Sequence, residues 1–126
     1  MIPDDLKYSK EHEWVKLEGD VATIGITDYA QGELGDIVFI ELPGVGDSVE
    51  AMQAFGTIEA VKAVSDMFSP VAGEIVEVNT ALEGDAGIIN SDPYGDGWIV
   101  KVKVSDSSQV DALLDPGQYK ELIGQN

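Results

Sequence analysis

Between His12 and Val104 the chain is a series of short β-branched runs cut by glycine, and two of those runs repeat one another. Gly35, Asp36, Ile37, Val38, Phe39 and Ile40, followed after five residues by Gly46 and Asp47, match Gly73, Glu74, Ile75, Val76, Glu77 and Val78, followed after five residues by Gly84 and Asp85. One constant offset relates all the pairs. A strand, a turn and a Gly-acid corner cannot bury an apolar face alone, so two copies predict two similar sheet halves packed face to face, joined by the segment between them.

The remaining runs fit the same plan. HEWVKL and VATIGI read as strands joined at Glu18, Gly19 and Asp20, because glycine supplies turn geometry between β-branched segments. TDYAQGELGD carries helix signals, with Asp28 as cap and Gln31 three residues later. Further strands are expected at 37–42, 54–61, 64–69, 74–78 and 97–104, the last alternating Trp98, Val100, Val102 and Val104 with Ile99, Lys101 and Lys103. After residue 104 the period changes to that of two short helices, about 106–123, with Asp115 as cap, Pro116 at the first helical position and Gly124 past the end. The segment from Asn79 to Asp96 has no clear strand and reads as a surface connection with a turn over Asp92, Pro93, Tyr94 and Gly95.

A chain of 126 residues suits a single core that buries roughly two thirds of the unfolded surface. No apolar run approaches the roughly 20 residues needed to cross a bilayer, and the N-terminus lacks the basic and apolar pattern of a secretory signal. A cytoplasmic protein without membrane contact is the expectation, or one of the mitochondrial matrix if the chain is a mature organellar form. There are 24 acidic residues against seven lysines and no arginine, a formal net charge of −17. Such a field repels nucleic acid and favours encounter with basic protein surfaces.

Catalysis by the bare polypeptide is poorly supplied. There is no cysteine, His12 is the sole histidine and reads as a strand or rim residue rather than a general base, and no metal-binding motif is present. Against that background Lys62 stands out. It lies between the strands AFGTIEAV and VSDMFS, at or beside a hairpin tip, with small or apolar neighbours and no other lysine nearby. Most exposed lysines are merely solvated. In a chain without other reactive groups, however, an amide-linked prosthetic group here would supply the missing chemistry.

EAVKA, residues 59–63, is similar to the attachment site of lipoyl carrier domains, with an acid three residues before the lysine and alanine after it. Biotin carriers usually place methionine on both sides of their lysine, where Val61 and Ala63 stand here. EHEWV, GITDYAQ and DPYGDGW, set in a chain that matches from about residue 6 to 122, resemble the H proteins of the glycine cleavage system. The pattern departs from that family in ALEGDAGIIN, where an acid and proline are more usual, and at Glu33, where some members have histidine.

The resemblance implies a mainly β fold, a barrel-sandwich hybrid of two antiparallel sheets with a short internal helix and short C-terminal helices. Residues 1–126 would form a single lipoyl-carrier domain with a core of about 12–104. It implies a noncatalytic shuttle with lipoate joined by an amide bond to Lys62, and Glu59 read by the lipoate ligase or the octanoyl or lipoyl transferase. The partners implied are the pyridoxal phosphate glycine decarboxylase (P protein), which reductively aminomethylates the lipoyl disulfide, the aminomethyltransferase (T protein), which passes the one-carbon unit to tetrahydrofolate, and dihydrolipoyl dehydrogenase (L protein), which reoxidises the dithiol. Glu13 and Asp66 are the expected contacts of the loaded arm. Two other readings stay open: an H-like protein relaying lipoate or octanoate to other acceptors, and an unmodified acidic adaptor.

Overall fold

The β-branched runs pair into two antiparallel sheets of unequal size. The computed structural model describes residues 2–124; residues 1, 125 and 126 of the single domain expected above lie outside the described residues. The strands are β1 (Lys7–Tyr8), β2 (Glu13–Glu18), β3 (Val21–Ile26), β4 (Ile37–Glu41), β5 (Ser48–Val49), β6 (Ala54–Ala60), β7 (Val64–Phe68), β8 (Gly73–Val78) and β9 (Val100–Val104). Six of them form one sheet in the order β1-β2-β3-β9-β8-β5, and three form the other in the order β4-β6-β7. Every pairing is antiparallel.

The inner faces of both sheets supply one apolar core, including Val15, Ile24, Ile40, Ile58, Met67, Ile75, Val100 and Val102, all at most 3% exposed. A second, smaller cluster packs Leu6, Tyr8, Trp14 and Tyr119 where the two ends of the chain meet. Trp14 lies so close over β3 that a Cβ at Gly25 would come within 2.7 Å of its ring. The fold is the mainly β, two-sheet architecture that the sequence implied.

The repeat is realised only in part. Its first copy gives β4 in the small sheet and its second gives β8 in the large one, so the copies do lie in opposite sheets. The halves are not alike, because β2, β3 and β9 extend one side alone. The corners differ too. Gly46 and Asp47 lead into β5, whereas Gly84 ends a one-turn helix and Asp85 caps it.

The helices are α1 (Asp28–Leu34), α2 (Ala81–Gly84), α3 (Ile88–Ser91), α4 (Ser108–Asp111) and α5 (Pro116–Leu122). Thr27, not Asp28, caps α1: its backbone is extended and its hydroxyl accepts from the Ala30 N–H at 3.2 Å. Asp28 instead occupies the first helical turn and accepts from the Gln31 side chain at 2.8 Å, a carboxylate placed where the helix dipole favours it. The segment 79–96 is not a plain surface connection. Through α2, α3 and the link between them it buries Leu82, Ala86 and Ile89, and its turn closes with the Gly95 N–H donating to the Asp92 carbonyl. That turn keeps Gly97 and Trp98 out of the last strand, which begins only at Val100; Ile99 is buried rather than facing solvent.

At the C-terminus Asp115 and Gln118 form a reciprocal capping box around α5, with Pro116 in its first turn, and Gly124 beyond it has φ +79°. Among the described residues no helix is long and apolar enough to cross a membrane.

Candidate functional site

β6 and β7 form a hairpin whose tip is Val61, Lys62 and Ala63. The turn is closed by the Ala60 N–H donating to the Ala63 carbonyl at 2.8 Å, and it is moored by the Val61 N–H donating to the Asp36 carbonyl at 2.9 Å. Lys62 is exposed, and among the described residues no carboxylate lies within 4.0 Å of its ammonium. Its aliphatic stem crosses Gly35, where a Cβ would meet Lys62 Cε at 3.1 Å. Gly35 has φ +78°, in the region that favours glycine, and it ends α1. The lysine therefore rests on a backbone seat that leaves room for its stem.

Asn90 of α3 fixes that seat. Its Nδ2 donates to the Gly35 carbonyl and to Gln31 Oε1, both at 2.9 Å, and its Oδ1 accepts from the Ile37 N–H at 2.9 Å. One side chain thus joins the end of α1 to the start of β4. This residue escapes sequence reasoning, since its partners lie more than 50 positions away; the only signal is a polar residue closing the apolar run GIIN.

Beside the hairpin runs a groove of about 290 Å³ between α1, β7 and the chain entering β2. Glu13 and Asp66 both line it, with Glu11, His12, Tyr29 and Ser65. Asp66 is exposed on the edge strand β7. Glu13 is only 2% exposed. It accepts from the Ser9 hydroxyl, and the Phe68 N–H approaches its second oxygen at 3.4 Å. Burial pushes its carboxyl up to about 7 despite those donors. His12 is a rim residue, placed before β2 by a left-handed turn with φ +69°, its ring against Tyr29 and its Nδ1 2.8 Å from the Tyr119 hydroxyl. Burial lowers its pKa, opposed by Glu11 and Glu33. Glu59 stands apart from the groove, exposed on β6 between Phe39 and Val64.

The sequence blocks that carried the resemblance meet in space. Trp14 Nε1 of EHEWV donates to the Pro93 carbonyl of DPYGDGW at 2.9 Å, and the Asp28 N–H of GITDYAQ donates to the Tyr94 hydroxyl at 2.9 Å. Among the described residues no three His, Asp or Glu side chains gather in a way that could hold a metal ion.

A two-sheet β fold that presents an exposed lysine on a moored hairpin beside an acidic groove suits a carrier protein. The family model described as glycine cleavage H-protein matches residues 6–126, and the chain belongs to that family, whose members are lipoyl carriers rather than catalysts. The glycine cleavage system H protein of Chlorobaculum parvum is 60% identical and that of Staphylococcus carnosus 57%, each alignment covering 98% of both chains. A crystal structure of the glycine cleavage system H protein from Mycobacterium marinum superposes with a TM-score of 0.90 at 41% identity, covering 98% of this chain and 99% of that one.

Proposed function

We infer that this chain is the lipoyl-bearing shuttle of a glycine cleavage system, carrying the aminomethyl group from glycine decarboxylase to aminomethyltransferase before reoxidation by dihydrolipoyl dehydrogenase. Residues 1–126 act as one carrier domain in the cytoplasm. Lys62 is the residue to which lipoate is joined, and the observation that carries this is its setting: exposed, unpaired with any described carboxylate and held on a fixed turn. The residues present fit the group. A primary amine can form the amide, and the adjoining groove combines the apolar walls of Ile26, Ile58 and Met67 with carboxylates.

Lipoate supplies a disulfide that accepts the one-carbon unit on reduction and is later restored from the dithiol. The protein's own residues do the rest. The hairpin sets the point from which an arm of reach on the order of 10 Å departs, so one carrier can visit several active sites at high effective concentration. Glu13 and Asp66 hold the cationic end of the loaded arm in the groove: a carboxyl poised near neutrality ionises when a cation enters its buried surroundings. Glu59 is the acid read by the lipoate ligase or by the octanoyl or lipoyl transferase.

Intact mass and peptide mapping after incubation with a lipoate ligase, lipoate and ATP test the attachment. One lipoyl addition on the peptide containing Lys62 and none in Lys62→Arg is the expected result. Addition elsewhere, or to Lys62→Arg, contradicts it, and a chain that never accepts the group would be an unmodified adaptor.

A further inference from the structure

Of the eight large hydrophobic side chains that stay exposed among the described residues, four lie on the lysine hairpin or on β4 beside it: Val38 at 60%, Phe39 at 52%, Val61 at 75% and Val64 at 66%. They form a patch because of the local register. Phe39 pairs with Glu59, which pairs with Val64, so the three side chains stand in a row on the outer face of the small sheet. A bulge between Ile37 and Phe39 gives β4 one extra residue. That turns two successive side chains, Val38 and Phe39, outward instead of one. At the tip, the Val61 N–H donates to the Asp36 carbonyl, which holds the turn beside the start of β4. Of the exposed acids, Asp36, Glu41 and Asp66 flank this face along β4 and β7, and Glu59 stands within it, between Phe39 and Val64. A cluster of exposed apolar side chains of this kind, interleaved with charge, marks an interaction site.

We propose that this patch is the docking surface for the enzyme that acylates Lys62, and that Phe39 and Val38 anchor that enzyme through an apolar depression edged by lysine or arginine. The inference rests on Lys62 being the acceptor. Geometry selects the occupant. To form the amide, the lysine nitrogen loses a proton and attacks the acyl carbon of an activated acyl group, an adenylate or a thioester; the new C–N bond forms as the bond to phosphate or sulfur breaks. Attack requires the two atoms to approach within about 3–3.5 Å. Lys62 lies along Gly35, so an enzyme that close must cover the surface around the tip. Enzymes that use the loaded arm meet its far end on the order of 10 Å away and have no such need. These acids and the net charge of −17 call for basic groups on the enzyme's docking face.

The test follows acylation of the full chain by a purified lipoate ligase with lipoate and ATP, comparing wild type, Phe39→Ser, Val38→Ser and the double variant with Val45→Ser, an equally exposed valine in the β4–β5 connection. Loss of two anchors is expected to lower kcat/KM roughly tenfold or more, mainly through KM, while Val45→Ser stays within twofold. The ligase's activation of free lipoate is unchanged throughout. Equal kcat/KM in all variants overturns the proposal while Lys62 is still acylated in the wild type; absence of acylation at Lys62 in the wild type overturns the underlying reading instead. Two other results also reject it: unchanged acylation with slowed reoxidation by dihydrolipoyl dehydrogenase, or unchanged acylation with loss of a wild-type dimer in sedimentation.

Discussion

A carboxyl as enclosed as that of Glu13 links stability to pH in an unusual direction. Its folded-state pKa is raised from 4.5 to about 7 by burial, so between those values the native state holds a proton that the unfolded chain has released. Stability from this residue therefore falls as pH rises across the window. The full effect is on the order of 3 kcal/mol. His12 acts in the opposite sense, because its burial lowers its pKa and charging it at low pH costs stability. Comparison with Glu13→Gln isolates the carboxyl: in urea unfolding from pH 4.5 to 7.5 the variant should gain stability relative to wild type as pH rises, by about 1–3 kcal/mol. Parallel curves would mean that Glu13 is solvated. Lys62 was legible at the tip because the strand runs on either side leave so little chain between them. The burial of Glu13 was not, because alternation tells which face a residue takes and not what covers that face. In this chain the cover includes Ser9 and the end of β7 at Phe68.

At the scale of elements, the lysine hairpin depends on a helix that sequence patterning did not reveal. α3 is one turn long, and its contribution is Asn90, which holds Gly35 and Ile37 together beneath the tip. Asn90→Ala leaves the Gly35 carbonyl and the Ile37 N–H without that partner, at a cost of about 1–3 kcal/mol. Denaturant unfolding should show that loss, and amide hydrogen exchange at Ile37 should quicken more than the global loss explains. Unchanged exchange at Ile37 would remove Asn90 from the support of the hairpin. The longer strands were readable from β-branched runs and glycine, as was α5 from Asp115, Pro116 and Gly124; the two-residue strands β1 and β5 were not, being too short to show a period. The bulge at Val38 was not, since five consecutive residues IVFIE give no sign of where the period of two slips. Nor was the choice of Thr27 over Asp28 as cap, which turns on one residue's backbone angle.

For the molecule as a whole, the two sheets form a fixed base, the three-stranded one carries the lysine, and the chain bears a net charge of −17. The repeat in the sequence located the opposed strands β4 and β8 but could not foretell the unequal sheets, because β2, β3 and β9, which lie outside the repeat, all join the large one. Family membership came through short blocks that proved to touch one another, Trp14 on Pro93 and Asp28 on Tyr94. The central claim is that this base works as a shuttle solely through the group on Lys62. Reconstituted glycine decarboxylation, with purified decarboxylase, aminomethyltransferase and dihydrolipoyl dehydrogenase, tests it most directly. Lipoylated wild-type chain should sustain turnover, and Lys62→Arg, taken through the same lipoylation step, should give the background rate without carrier. Turnover by Lys62→Arg at a rate near wild type would contradict the account.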